Sequence, residues 1–512
     1  MLPPSTLDQM PDAFVQLAQQ VEDEILQDVA RRIGKMGALT ETADWQLWRY
    51  QQTEAVRENV VKLLAKYSGK SEATIRRLLK EAATEAMERE DAIYYHYNLE
   101  PTPFEESAAL NNLLNAGARQ TCGTWRNLTA TTANTVSGAF ERTLDVAWGK
   151  VATGAFDYKT AVKQAVDSLA DEMPEITYPS GHTDSLEVAA RRAVLTGVNQ
   201  TAGKLQEARM DEMNVEFVET SAHGGARPSH AEWQGRRFHR GGAVDYLGKH
   251  YPDFDAATGY GTGAGLCGWN CRHTFFAVFP ELGDPPQWTQ EQLRELNARD
   301  IEWNGKKYTA YEISQMQRAR ERNVRRWKKR YLAETAAGVD TTDSAVRLKA
   351  ARQSLAEFAN ATGGRVDSAR VSVPKFGRSE GSRANWAAKD YEKQQKDAII
   401  IENLRTAAKL PKAAVIHLEP TKINVDALTF DDAHINAERE HRVSEEQAKQ
   451  YIRNAKISVS VWNGQFERYY GTEGAAYVNT IKHEIRTAYS RAEFDENTTA
   501  LIEEMKKNGI LG

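Results

Sequence analysis

The sequence predicts a mainly α-helical N-terminal body, a loop-rich Gly/aromatic α+β module, and a small C-terminal α+β domain. Three patterns carry that prediction. Apolar residues recur at spacings of three and four through residues 11–213, and glycine and aromatic residues replace that periodicity over 214–282. Strict alternation beside an Asn-Gly dipeptide then marks a hairpin near 457–470.

The 512 residues leave room for about three domains. The boundaries fall at 1–213 (helical body), 214–340 (Gly/aromatic Cys/His module with a following basic helix), 341–391 (helix and linker) and 392–512 (C-terminal α+β domain). With 41% hydrophobic and 27% charged residues, the composition is that of a folded chain. Mean hydropathy is −0.61, and no stretch approaches the roughly 18 apolar residues of a membrane span. Met1-Leu-Pro-Pro-Ser lacks the basic and apolar regions of a signal peptide, so a cytosolic product is expected unless something packages it. A net charge of −5 argues against a chain-wide grip on nucleic acid while leaving local basic patches open. Three cysteines, Cys122, Cys267 and Cys271, are too few and too odd in number for a disulfide framework.

In the helical body, Phe14, Leu17, Val21 and Ile25 fall on one face, as do Val60, Leu63 and Leu64 further on. Ser71 is positioned as a cap for the run holding Ile75, Leu78 and Leu79, with Thr74 standing where a capping box needs Glu or Gln. Breaks are expected at Glu100-Pro-Thr-Pro and at Tyr178-Pro-Ser-Gly-His182. In the module, short strands are expected at 215–219 and 274–279. Helix returns over 288–336 and carries the basic run from Arg318 to Arg330. That run is either a solvated face or a contact for nucleic acid or an acidic partner. The Gly/Ser/Arg-rich stretch 361–390 reads as a linker. In the last domain Ser444 caps a short helix. Asn463-Gly464 turns Ile457, Val459 and Val461 back into 466–470, and further strands follow at 475–478 and 485–489.

Two segments are dense in reactive side chains. The first is Ser221-Ala-His-Gly-Gly-Ala-Arg-Pro-Ser-His230, joined by Cys267-Gly-Trp-Asn-Cys271-Arg-His273. Thiolate and imidazole are zinc's preferred ligands, so Cys267, Cys271 and His273 form a candidate zinc set, with His230 or His223 as the fourth. Against it stand the non-standard C-x3-C-x-H spacing and the reading of these groups as buried thiols and turn-capping imidazoles. A Cys–His nucleophile lacks an evident orienting acid.

The segments Asn127-Leu-Thr-Ala-Thr-Thr-Ala133, Tyr178 to His182, Arg191 to Asn199, Thr220 to Gly235, Tyr251 through His273, and Tyr311 to Arg322 follow one another in order. On them, residues from about 40 to 335 resemble the phage minor capsid protein 2 family, related to Mu F-like minor head proteins. The resemblance implies a virion component inside the head near the portal, made in the host cytoplasm. Its partners would be portal and capsid proteins, with phage DNA met through the 318–330 helix.

The second segment is Asp431-Asp-Ala-His434-Ile-Asn-Ala-Glu438-Arg439-Glu-His441, followed by the hairpin and by Ile485-Arg-Thr487-Ala-Tyr489. It resembles the phage-borne nucleases grouped with barnase, EndoU, colicin and RelE, which implies metal-independent cleavage of RNA. Such cleavage needs a base, an acid and a cation at the phosphate. His434 and His441 are candidates for base and acid, Glu438 for an alternative base, and Arg439 for the phosphate. Thr487 and Tyr489 would bond phosphate or stack on a base. Alternation puts them on one strand face with His483 and Ile485. The competing reading is a surface cluster, because His434, Glu438 and His441 fall at i, i+4 and i+7.

Overall fold

The computed structural model describes residues 2–36, 42–153, 157–172, 175–177 and 182–511. Tyr178 to Gly181, and the break expected there, lie outside the described residues. The chain forms two compact units, Met1–Asn385 and Trp386–Gly512.

The first unit opens with α1 (Pro4–Gln9), α2 (Asp12–Gly34), two long helices α3 (Thr42–His96) and α4 (Ala108–Ala152), and α5 (Tyr158–Glu172). The hairpin β1 (Glu175–Thr177) and β2 (Thr183–Ser185) leads into α6 (Leu186–Glu212). The predicted apolar faces bury Phe14, Val21, Ile25, Val60 and Leu64 in one core shared with α4 and α6. Ser71 caps nothing: α3 runs straight through it, and its buried hydroxyl donates to the Tyr67 carbonyl one turn back, at 2.6 Å. A hydroxyl satisfied in this way needs no helix start.

Helices α4 and α6 cross through a reciprocal notch. A Cβ on Gly117 would meet the Thr201 hydroxyl at 2.2 Å, and one on Gly197 would meet the Thr121 hydroxyl at 2.3 Å. Each threonine donates to the carbonyl of the glycine on its own helix, Thr121 to Gly117 at 2.9 Å and Thr201 to Gly197 at 2.7 Å. The hydroxyls are therefore satisfied while the backbones come close.

After α6 the chain builds the module: β3 (Phe217–Thr220), α7 (Pro228–Ala231), β4 (Arg237–His239), β5 (Val244–Tyr246), β6 (Lys249–Tyr251), α8 (Phe254–Thr258) and β7 (Phe275–Ala277). β3 is central in an antiparallel sheet of order β4-β3-β7, close to the two strands expected. Next come α9 (Gln290–Leu296), the hairpin β8 (Arg299–Trp303) and β9 (Lys306–Thr309), α10 (Ala310–Ala337) and α11 (Thr342–Ala361). The hairpin interrupts what reads as continuous helix. Capping boxes at Thr289/Gln292 and Thr309/Glu312 start the helices on either side of it.

The basic run lies on α10 and is mostly turned inward. Lys329 donates to Glu22 of α2 at 2.5 Å, and Arg325 pairs with Glu187 of α6 and bonds the Arg370 carbonyl. Arg326 forks onto Asp171 with two 2.7 Å bonds, Arg330 pairs with Asp167 at 2.5 Å, and Lys328 donates to the Val371 carbonyl. Burial works against the charge on Lys329, yet Glu22, Glu187 and Asp23 hold its ammonium above the ordinary range. Burial likewise opposes the Glu187 carboxylate, and Arg325 and Lys329 hold it below the usual value. Asp23 is less well served: burial pushes its carboxyl up to about 7 against the pull of Lys329.

Helix α12 (Arg378–Ala407) occupies half of the predicted linker; its first turns belong to the first unit and its remainder to the second. The second unit adds β10 (Val415–His417), β11 (Thr429–Phe430), a π-helical turn (Ala433–Glu438), α13 (Glu445–Arg453), the meander β12 (Ile457–Val461), β13 (Phe466–Tyr470), β14 (Gly474–Asn479) and β15 (Glu484–Ser490), and α14 (Glu496–Lys507). The strand order is β10-β12-β13-β14-β15-β11, antiparallel except for β11 beside β15. One sheet face buries Ile457, Val459 and Tyr489 against Leu404 of α12 and Leu501 and Met505 of α14. The other buries Val478, Ile485 and Ala488 against Ala448 and Ile452 of α13. Ser444 caps α13 as expected. The Asn463-Gly464 turn is wider than expected: Val461 pairs with Phe466, so four residues span it, three of them at positive φ.

Two predictions follow from the packing. Gly197→Ala should cost about 1–3 kcal/mol, and Thr121→Ala should recover much of that loss, so a double-mutant cycle in urea shows coupling between them. For Asp23 the folded carboxyl keeps its proton to about pH 7 and the unfolded one loses it near 3.8. Its contribution to stability therefore falls as pH rises from about 4 to about 7. Asp23→Asn should remove up to about 4 kcal/mol of that loss, read as a smaller drop in Tm between pH 5 and pH 8 than in the parent chain.

Candidate functional site

The module's reactive side chains converge because α6 holds the segment that leads into β7. The Asn199 amide donates to the carbonyls of Cys271 and His273, both at 3.0 Å. About two turns further on, Gln206 donates to the Phe275 carbonyl at 2.7 Å and to Glu90 of α3 at 3.1 Å. Glu90 in turn accepts from the Ala277 amide of β7 at 3.1 Å. His230 comes from α7, where Pro228 starts the turn and the ring packs on Trp233.

Three donor atoms meet. His230 Nδ1 lies 3.4 Å from His273 Nδ1, and Cys271 Sγ lies 3.7 Å from each. All three residues are buried, and among the described residues they are the one cluster with metal-ligand spacing. Cys267 is not part of it. It lies in the core with Leu266 and Phe254, its Sγ 3.8 Å from the His273 carbonyl. His223 is not part of it either: its ring stacks on His273, centroids 4.3 Å apart, and its Nδ1 donates to Gly224. The expected four-residue set thus reduces to His230, Cys271 and His273. Spacing along the chain could not show this, because it does not say where the Cys267 thiol points.

Burial lowers the pKa of His230 and of His223 to about 4 and takes His273 well below its ordinary value. The same burial raises the Cys271 and Cys267 thiols. The imidazoles are neutral at physiological pH. The trio lines a cavity of about 770 Å³ with His223, Arg191, Arg318 and Arg322. These last two, with Arg325, are the basic-run residues that line it.

In the second unit the candidate residues split into two pairs. His434 Nδ1 bonds Glu438 Oε2 at 2.6 Å within the π-helical turn. His441 lies past the end of that turn, after Glu440 at positive φ, and its Nδ1 bonds Glu493 Oε1 at 3.0 Å. The expected single helical face is therefore broken, and Glu493 is a partner the sequence reading missed. Bonds from His441 and Ser490 hold the Glu493 carboxyl below its usual value although burial opposes them. Arg439 is exposed.

The shared strand face is also corrected. A bulge at β14/β15 pairs Tyr477 with Thr487 but Val478 with Ile485, leaving Arg486 unpaired. The extra residue reverses the alternation. Ile485 packs toward α13, whereas Tyr489 packs toward α14 and Thr487 pairs on that same side. His483 sits in the turn before the strand. Tyr489 meets the His441 ring at 5.5 Å between centroids and bonds the Tyr477 hydroxyl at 2.6 Å. Its own hydroxyl is thus tied into a buried tyrosine chain.

Among the described residues no helix is long and apolar enough to cross a membrane. No curated protein and no solved structure matches the chain significantly. The family profile described as Phage minor capsid protein 2 matches residues 2–360, which takes in the helical body, the His/Cys module and α10 with α11, and stops before the second unit. The chain belongs to the phage minor capsid protein 2 family, a structural protein of the virion head.

Proposed function

We propose that this head protein acts at the portal side of the capsid, in head assembly and genome delivery, and that its C-terminal unit is an RNA-cleaving effector carried with the genome. The observation behind the effector reading is the pair of carboxylate-anchored histidines, His434–Glu438 and His441–Glu493. A carboxylate on Nδ1 fixes each ring and leaves Nε2 as the reacting atom. One Nε2 takes the proton of the ribose 2′-hydroxyl as its oxygen attacks phosphorus. The other gives a proton to the departing 5′-oxygen as the P–O5′ bond breaks, leaving a 2′,3′-cyclic phosphate. Arg439, exposed and directly after Glu438 in the chain, meets the charge on the phosphate. DNA contact through α10 falls to Arg318 and Arg322, since most of the remaining cations brace the body. The rival reading, an inert C-terminal unit, draws on the i,i+4 spacing of His434 and Glu438, common on any helix surface.

Incubating the full chain with single-stranded RNA in EDTA should give cyclic-phosphate ends. His434→Ala with His441→Ala should slow cleavage by about 100-fold or more. Absence of products, or unchanged cleavage by the double variant, overturns the effector reading. For the portal-side reading, cross-linking intact virions should join a few copies of this protein to the portal. Cross-links spread evenly over the major capsid lattice would reject it.

A further inference from the structure

We propose that His230 Nδ1, Cys271 Sγ and His273 Nδ1 hold a zinc ion, with the fourth coordination position turned to the cavity they line. The inference stands on the first unit alone and does not depend on the effector reading.

The spacing is the first argument. Zinc bonds of about 2.0–2.1 Å to nitrogen and about 2.3 Å to sulfur, at tetrahedral angles, place two nitrogens about 3.3 Å apart and nitrogen and sulfur about 3.6 Å apart. The three edges here are 3.4, 3.7 and 3.7 Å. The sidechains thus already outline one face of a tetrahedron.

The second argument is where the ring protons must be. His230 Nε2 lies 2.9 Å from the Ala264 carbonyl, an acceptor only, so this nitrogen carries the hydrogen. His273 Nε2 lies 3.0 Å from Gln234 Oε1. That atom is identified as oxygen because the backbone amide of His223 donates to it at 3.1 Å, while Gln234 Nε2 donates to Asn297. His273 Nε2 therefore also carries its hydrogen. Both Nδ1 atoms are left as bare lone pairs facing each other in a buried site. One thiol proton can satisfy only one of them. A cation between them satisfies both, and the outer bonds to Ala264 and Gln234 are the kind that orient zinc-bound imidazoles.

The third argument is the sulfur's surroundings. The His273 amide donates to Cys271 Sγ at 3.4 Å, a bond that favours thiolate. Asn199 fixes the carbonyls on both sides of that turn, so the ligands are set before any metal arrives. A mixed N/S set selects zinc over calcium or magnesium. Binding releases the thiol proton to solvent and leaves the thiolate on the metal.

The test uses the full untagged chain. It is stripped with chelator, reloaded with zinc or cobalt(II), desalted and analysed by mass spectrometry for metal and by absorption spectroscopy. The expected result is about one metal per chain. The cobalt form should show tetrahedral d–d bands and a thiolate-to-cobalt charge-transfer band. Cys267→Ser should keep both metal and band, and Cys271→Ser should lose the band. Because Cys271→Ser can also disturb folding, circular dichroism accompanies it, and the parent chain's own stoichiometry and spectrum stand independently of any variant. Less than about a tenth of a metal per chain after loading, or a cobalt spectrum without the sulfur band, overturns the proposal. So does equal loss in Cys267→Ser with the fold intact.

Discussion

The first unit depends on a buried charge cluster in which Lys329 and Arg325 of α10 reach Glu22 of α2 and Glu187 of α6. Charges taken out of water are tolerable only when each finds an opposite charge or a hydrogen bond, and removing one partner commonly costs about 3–5 kcal/mol. Such a cluster is therefore poor at adding stability and good at rejecting alternatives. A register shift of α10 by one residue would leave the Lys329 ammonium against apolar neighbours and its acids unpaired. Gln19 adds to the specification by donating to Glu187 at 2.6 Å. The cluster thus sets how α10 lies on α2 and α6, where apolar packing alone would accept several arrangements.

Helix α6 passes that order on. Its Glu187 end is tied to α10, its middle closes on α4 through the glycine–threonine notch, and its later turns carry Asn199, Gln206 and Arg209. Arg209 is fully buried between Asp91 at 2.8 Å and Glu212 at 2.6 Å, locking α6 to α3. The small module has little core of its own: Phe238, Phe254 and Phe275 form its centre with Tyr94 of α3 and Met210 of α6. Its strands are held from outside by side-chain amides bonded to main-chain carbonyls. The position of the His/Cys trio is accordingly a property of the helical body as much as of the glycine-rich loop. That loop contributes close passage. A Cβ at Gly265 would sit 2.0 Å from the Gly259 carbonyl, next to the Ala264 carbonyl that His230 uses.

What could be read from the sequence was whatever depends on near neighbours. Helical periodicity, the Ser444 cap, the β12–β13 alternation and the glycine-to-aromatic shift all express local rules, and all appear in the fold. The misreadings share a different origin. Ser71 looks like a cap until its hydroxyl is seen bonding back to Tyr67. Arg325, Arg326, Lys329 and Arg330 look like free cations because their acids come from helices about 140 to 310 residues away. Thr487 and Tyr489 seem to share a face with Ile485 because a bulge belongs to a pair of strands and cannot be seen in one. Cys267 seems a ligand because a spacing rule does not show that it lies in the core.

The same distinction separates four histidines into two pairs. A bare list of His230, His273, His434 and His441 gives no reason to separate them. Their partners do. His230 and His273 are buried, which disfavours the charged ring, and their Nε2 bonds to neutral oxygens direct an Nδ1 lone pair inward. Each ring thus offers a lone pair to the proposed cation. His434 and His441 bond carboxylates through Nδ1, which fixes each ring. Those are the rings that the proposed RNA cleavage uses. An imidazole's role is set by the atom behind it, and that atom comes from Ala264, Gln234 or Glu493, residues that no motif containing the histidine itself includes.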